Sequence, residues 1–347
     1  MKRVVFLYTE LADYTLFALE ELSKSTEVFI VHYPINPDAP FQFNIPKNIT
    51  CLSRSGLTHS KLSAWVFNIK PHLLICSGWS DGLYLQTVMA WNKPERSILC
   101  MDTLWNNRPR QWLACIISRW TLTRWFKTAW VPGALQNRYA QKLGFKSIFT
   151  GFYCCRHSLY LPVFEERKKT ALAPTKVLLF IGRYHAQKNV IALWKSFMEL
   201  SENEGSDWEL WCVGTGPETP VKHSKIKHFG FLQPQETIKL ISQSHAFILP
   251  SQFEPWGVVV HEMACAGLPL ILSNAVGCAE QFLIPEKNGF IFDSKSEQSL
   301  KDVLKKLFET SPEIRTAMGV ASHEQSKSIT VTQWVQTLQN WLSEVPA

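Results

Sequence analysis

Phe247-Ile248-Leu249-Pro250-Ser251-Gln252-Phe253-Glu254-Pro255-Trp256-Gly257 is followed directly by Val258-Val259-Val260-His261-Glu262-Met263-Ala264-Cys265-Ala266-Gly267-Leu268-Pro269, and the stretch runs on to Asn288-Gly289-Phe290-Ile291-Phe292. Phe247 to Leu249 is a short apolar run stopped by Pro250-Ser251, so it reads as a buried strand ending in a loop. Gly257 to Ala266 has no internal breaker and reads as a helix closed by Gly267, with Pro269 beyond. Glu254 then lies in the loop at the helix N-terminus, and Glu262 one to two turns into the helix.

A strand, a glycine-containing loop and a helix N-terminus together present free backbone N–H groups and the positive end of the helix dipole, which suits an anion. Carboxylates in that place are poor phosphate ligands, but they accept well from sugar or ribose hydroxyls. The same grammar returns in Leu268 to Ser273 followed by Val276-Gly277-Cys278-Ala279-Glu280, where Glu280 reads as a helix cap. Two such loops at one crevice make a nucleotide-sugar pocket. The plainer alternative is an ordinary strand-loop-helix whose glutamates are solvated caps.

The pattern of Glu254, seven residues and Glu262, with Pro-Trp-Gly after the first glutamate and Ala-Cys-Ala-Gly-Leu-Pro after the second, resembles the donor-binding signature of retaining family 4 glycosyltransferases (glycosyl transferases group 1, GT-B fold). The likeness is specific over about half of the chain. It implies an α/β protein of two Rossmann-like domains facing across a cleft, with a C-terminal helix crossing back to the first. The expected division is an acceptor domain at 1–165, a donor domain at 166–330 and the returning helix at 331–347.

At 347 residues the chain is long enough for two cores. Its 46% hydrophobic and 19% charged content is that of a globular protein, and no apolar run is long enough to span a bilayer. Met1-Lys-Arg before Val4–Tyr8 is too short for a signal peptide and reads as a first strand. Nine cysteines, without a C-x-x-C pair or metal-ligand spacing with histidine, read as reduced and buried, which points to the cytoplasm. Charge is uneven: residues 1–165 carry 18 Lys+Arg against 10 Asp+Glu, while 166–347 carry 18 against 19. A basic first half suits a membrane surface or a phosphate-bearing acceptor, and equally a solvated basic face.

Val4–Leu7, Thr26–His32, Leu73–Cys76 and Ser97–Cys100 are apolar runs separated by stretches with helical spacing, the pattern of a parallel sheet covered by helices. The first loop, Tyr8 to Tyr14, lacks the glycines that relatives often place there. Asp102 follows the fourth run and is the candidate, where the family often has a histidine, for contacting the transferred sugar or orienting the acceptor hydroxyl; a helix cap or loop aspartate explains it equally well. Arg110 to Trp130 interleaves Trp112, Trp120, Trp125 and Trp130 with Arg119, Arg124 and Lys127, the composition of an interfacial membrane segment. Wound as one helix it has a poor apolar face, which favours a core helix with snorkelling arginines. No nucleic-acid module is visible. Thr150 to Arg156 reads as the last strand and exit loop, and Phe164 to Thr175 as the linker.

The second half opens with the strand Lys176–Ile181, then Gly182-Arg183-Tyr184-His185-Ala186-Gln187-Lys188. Arg183 and Lys188 flank a loop that ends at a helix start, so both cations can converge on a diphosphate. This segment matches the family's diphosphate loop. Glu209–Val213 is the next strand, and Gly214-Thr215-Gly216-Pro217 is a turn where a nucleotide can come close. Ile226 to Leu232 lies where relatives meet the base, so the resemblance implies that Phe231 or Leu232 packs on it. Thr330–Ser343, with Trp334, Leu338, Trp341 and Leu342, reads as a final amphipathic helix.

The resemblance then implies a retaining transferase that moves a sugar from a nucleoside-diphosphate donor to a glycan or lipid-linked acceptor, in bacterial surface polysaccharide or lipid-linked glycan synthesis. Arg183 and Lys188 would neutralise the leaving diphosphate without a metal. Glu254, with the amides of Trp256, Gly257 and Val258, would hold the sugar, and Glu262 the ribose. No cofactor is expected beyond the donor. A nucleotide-sugar epimerase on the same fold and a non-catalytic nucleotide-sugar binder are the alternatives.

Overall fold

The structure, a computed structural model, describes residues 1–37, 40–169, 175–203 and 207–344. The chain packs as two units. Met1–Asn36, Phe41–Cys154 and Ile329–Ala347 form the first, and Pro37–Pro40 with Cys155–Ser328 the second.

The first unit is built on seven parallel strands: β1 Arg3–Leu7, β2 Glu27–His32, β3 Ile49–Ser53, β4 Leu73–Ser77, β5 Ser97–Cys100, β6 Thr128–Trp130 and β7 Ser147–Phe149, in the order β3-β2-β1-β4-β5-β6-β7. The second holds β8 Lys176–Ile181, β9 Trp208–Val213, β10 Ile226–His228, β11 Ala246–Leu249, β12 Leu270–Ser273 and β13 Gly289–Phe292, in the order β10-β9-β8-β11-β12-β13. Both orders follow the Rossmann pattern, which reverses direction beside the first strand of each sheet. The inner strands are apolar along their whole length because helices bury both faces. Val4–Leu7, Leu73–Cys76, Ala246–Leu249 and Leu270–Leu272 are all buried.

The helix Val331–Glu344 belongs to the first unit, where the Trp334 indole N–H donates to the Phe152 carbonyl at 2.9 Å. Its apolar face carries Trp334 and Trp341 into an aromatic cluster: Trp334 stacks on Phe6 at 6.3 Å, and Trp341 meets Trp130 edge-on at 5.2 Å. Each such pair adds about 0.5–1.5 kcal/mol beyond simple burial, enough to hold a helix that follows the whole second unit in sequence.

Four expectations need correction. The units divide between Cys154 and Cys155 rather than at 165/166, because Tyr160, Val163 and Phe164 of the helix His157–Arg167 are buried within the second unit, with Phe164 stacked on the His323 ring at 3.7 Å. The charged run read as the start of a linker is the end of that helix, where Arg167 is half-buried and donates to the Ser244 carbonyl; residues 170–174 of the same stretch lie outside the described residues. The last strand of the first sheet is Ser147–Phe149, and residues 150–156 are irregular.

The remaining correction concerns the tryptophan-rich segment, which breaks into the helices Pro109–Ser118 and Leu122–Trp125 with a turn between them. Only Ser118 of the first helix is buried, so this is not a core helix. Among the described residues no helix is long and apolar enough to cross a membrane.

Candidate functional site

In the second unit the strand order reverses between β8 and β11, and loops leaving the carboxyl ends of strands on either side of such a point frame the usual ligand crevice of this architecture. Gly182–Asn189 leaves β8, Gly214–Pro217 leaves β9, Phe229–Leu232 leaves β10, Pro250–Gly257 leaves β11 and Asn274–Cys278 leaves β12. Gly182, Arg183, Lys188, Gly214, Gly216, Phe231, Leu232, Glu254, Trp256 and Gly257 therefore share one edge of one sheet. Val258 and Glu262 lie on the helix Val258–Cys265 that rises from it.

The β8 and β11 loops are fastened to each other. Gln252 N–H donates to the Gln187 carbonyl at 2.9 Å, and the Gln187 side-chain amide donates to the Phe253 carbonyl at 2.7 Å. The Lys188 ammonium then meets the Glu254 carboxylate in an ion pair. Their side chains are only 16% and 12% exposed, so water screens the pair weakly. Glu254 is fixed on its other side too: its N–H donates to the Ala275 carbonyl at 3.1 Å and its carbonyl accepts from Gly277 N–H at 2.9 Å. The resemblance implies phosphate for Lys188 and sugar for Glu254; the structure joins the two in one polar pair. Arg183, in the same loop, is exposed and has no carboxylate partner among the described residues.

Gly214 and Gly216 answer to their own neighbours. A Cβ on Gly214 would stand 2.0 Å from the Gly182 carbonyl oxygen, and one on Gly216 2.2 Å from that of Tyr184. Tyr184 N–H donates to the Thr215 carbonyl at 2.7 Å, so these glycines let the β9 loop lie against the β8 loop. Gly216→Ala forces the two loops apart and costs about 1–3 kcal/mol, several degrees in Tm for a unit of this size. An unchanged melting curve would contradict that packing role.

Gly257 caps the helix Val258–Cys265, whose first N–H groups have no carbonyl within the helix. The Trp256 indole is buried against Phe282 at 6.0 Å, which leaves the backbone of the Pro-Trp-Gly turn as its polar face. The Cys278 Sγ faces the Gly257 carbonyl at 3.4 Å, and burial together with the nearby Glu254 charge pushes its thiol well above the ordinary range, so it stays protonated. Glu262, Phe231 and Leu232 are half-buried. Asp102 belongs to the other unit, past the end of β5, where it accepts from the Tyr153 hydroxyl at 3.2 Å.

One cluster escaped the sequence. Ligand atoms of Cys155, His157 and His261 lie within 4.8 Å of one another, although His261 is more than a hundred residues away in the chain. Its Nδ1 accepts from Cys155 N–H at 3.2 Å, so Nε2 carries the proton and donates to the Ser326 carbonyl at 2.9 Å. Burial, reinforced by His157, lowers the His261 pKa to about 3, so the ring is neutral. With both ring nitrogens engaged by backbone, a metal would have to displace one of these bonds. The cluster is a fastening between the helix that carries Glu262 and the segments around Cys155 and Ser326.

Residues 163–325 match the model of the family Glycosyl transferases group 1, a span that takes in β8 to β13 and every loop of this rim. Over 139 residues the chain is 31% identical to a 2-deoxystreptamine N-acetyl-D-glucosaminyltransferase of Niallia circulans, covering 36% of this chain and 34% of that protein. Matches to the first curated relatives span only about a third to a half of their length. Among solved structures, a sucrose-phosphate synthase from Thermosynechococcus elongatus superposes with a TM-score of 0.74 at 14% identity, over 99% of this chain and 100% of that one. An Anabaena HepE structure in complex with UDP and glucose gives 0.73 at 13% identity, over 99% and 100%. At such identities the likeness establishes the fold, an α/β protein of two parallel-sheet Rossmann-like domains of GT-B type. The family match covers a little under half of the chain, all of it from residue 163 onward.

Proposed function

We propose that this protein is a retaining glycosyltransferase of family 4 type that moves a sugar from a nucleoside-diphosphate donor to a hydroxyl of a glycan or lipid-linked acceptor. The observation that carries the reading is the Lys188–Glu254 ion pair at the strand-order reversal, with the exposed Arg183 in the same loop. When a donor arrives, its diphosphate takes over the Lys188 ammonium and adds Arg183, freeing Glu254 to accept from the sugar hydroxyls. As the bond from the anomeric carbon to phosphate oxygen breaks, negative charge grows on the diphosphate between the two cations. The acceptor oxygen bonds to the same face of that carbon, and its proton passes to the departing phosphate oxygen. Glu262 accepts from the ribose. The reading requires no metal, since the two cations meet the growing charge. The basic first unit is left for the acceptor, with Asp102 as its candidate for orienting the hydroxyl, and polysaccharide or lipid-linked glycan synthesis is the process this serves.

The test is a thermal-shift screen against UDP, GDP, CDP and ADP and their common sugars, with EDTA present. Because the HepE relative was solved with UDP and glucose, UDP is the first to try. One nucleotide should raise Tm, and Arg183→Ala should abolish the shift. A shift that needs added divalent cation overturns the metal-free part, and no shift with any nucleotide overturns the donor reading. Glu262→Ala removes a charged hydrogen-bond acceptor worth about 1.5–3 kcal/mol, so the nucleotide Kd should rise roughly tenfold or more; an unchanged Kd would remove Glu262 from the site.

A further inference from the structure

The helix Pro109–Ser118 in the first unit is turned inside out relative to an ordinary surface helix. Its inward side carries Gln111, Ala114, Cys115 and Ser118: Ala114 and Cys115 pack on the core, Ser118 Oγ donates to the Leu143 carbonyl, and the Gln111 amide donates to the Leu104 carbonyl at 2.6 Å. Outward stand Trp112, Leu113, Ile116 and Ile117, with Trp120 in the following turn, and their exposures run from 45% for Ile117 to 70% for Trp120. At 100° per residue the four helical residues fall within one contiguous arc, and Trp120 adds its exposed ring in the turn that follows, so the solvent side is an apolar stripe. Such a stripe costs free energy in water and marks an interaction surface.

Its setting is cationic. Residues 103–154, all within the first unit, contain eight Lys+Arg and no Asp or Glu. A groove of about 380 Å³ borders the stripe on one side, between Trp112, Ile116 and Trp120 and the facing Gln141 and Lys142, with Arg119 at its edge. The Lys142 ammonium lies 4.9 Å from the Trp105 ring and 5.6 Å from the Trp112 ring, a cation held over the aromatic rim by their π faces.

We propose that this helix and the Trp120 turn are an interfacial docking surface for an anionic phospholipid bilayer, with the tryptophans, Leu113 and the isoleucines at the acyl boundary and Arg119, Lys142 and their neighbours on headgroup phosphates. A second copy is a poor occupant, because a self-matching interface would set this acid-free basic surface against itself. A helix of ten residues lies on a bilayer and does not cross it. The proposal stands whether or not the second unit takes a nucleotide sugar.

The experiment is co-sedimentation of the full chain with vesicles of phosphatidylcholine alone or mixed with phosphatidylglycerol, at low and high salt, for wild type and for Trp112→Ser/Trp120→Ser. Wild type should partition onto the anionic vesicles, weaken with salt and bind neutral vesicles far less. The double variant, in which Trp112 gives up its hydrogen bond to Asn107 Oδ1 and its edge contact with Trp105, should still melt as a folded protein and should lose partitioning at least about tenfold. Arg119→Gln/Lys142→Gln should weaken anionic binding and flatten its salt dependence. Unchanged partitioning in the tryptophan variant, equal binding to neutral vesicles, or a wild-type dimer in solution that the variant turns into a monomer would each overturn the proposal, the last in favour of a second copy.

Discussion

Lys188→Ala should lower glycosyl transfer by about 10²–10³-fold while the protein stays folded. The ammonium sits where charge accumulates on the leaving diphosphate, and a preorganised cation in a half-dry site is worth far more in the transition state than in water. The substitution also strips Glu254 of its partner, leaving a nearly buried carboxylate whose charge the diphosphate meets as a like charge. Donor binding and transfer should therefore fall together. Glu254→Ala alone should also be severe, since it removes the acceptor for the sugar hydroxyls. Because the two side chains act as one unit, Lys188→Ala/Glu254→Ala should cost clearly less than the product of the single effects. Strictly multiplicative effects in that cycle would mean that the ion pair has no part in the donor site.

The second large effect concerns stability. Asp81→Ala should destabilise the first unit by roughly 3–5 kcal/mol. Its carboxylate, 3% exposed, accepts from Arg54 Nε at 2.8 Å and the Tyr33 hydroxyl at 2.8 Å, and caps the helix Gly82–Trp91 through Leu83 N–H at 2.7 Å. Removing it orphans a guanidinium and a helix end at once. Burial pushes the Asp81 pKa up, but the Arg54, Tyr33 and backbone hydrogen bonds outweigh it and hold the carboxyl below the usual carboxylate range. A carboxyl with a depressed folded pKa contributes stability above its unfolded pKa and loses it as pH falls through the folded one. The Asp81 contribution should thus be whole at neutral pH, begin to fade below about pH 4 and vanish in stronger acid. The penalty for Asp81→Ala, read by denaturant titration of the two proteins, should shrink along that path. A pH-independent penalty would show that the charge itself contributes nothing.

The parts of the fold legible in the sequence were those that burial writes most strongly. The runs Val4–Leu7, Leu73–Cys76, Lys176–Ile181 and Phe247–Leu249 are apolar on both faces because helices cover both, and each is a strand within a residue or so of its expected bounds. β3 went unread because Ile49–Ser53 is an edge strand with only its first residue buried, so it has no apolar run to show. Wound as one helix, residues 110–130 hide the helix Pro109–Ser118, because the chain turns at Arg119–Thr121; by itself the first helix has a clean apolar stripe.

At the site, the spacing of Glu254 and Glu262 placed both correctly on loop and helix. It could not show that Lys188, 66 residues earlier, closes on Glu254, because that pairing follows from β8 and β11 being neighbours in the sheet. In the sequence Gly214 and Gly216 read as room to admit a nucleotide, but their necessity comes from the carbonyls of Gly182 and Tyr184. His261 carried no signal, since what makes it structural is two backbone groups from segments far apart in the chain.

The most direct test of the central claim is a crystal structure of the protein with the nucleoside diphosphate sugar that gives the largest thermal shift. The account predicts the diphosphate beside Arg183 and Lys188 at the end of β8, the sugar hydroxyls on Glu254 and the Trp256–Val258 amides, and the ribose on Glu262. A donor bound elsewhere, or bound here with the Lys188–Glu254 pair intact and no phosphate contact to either cation, would contradict it.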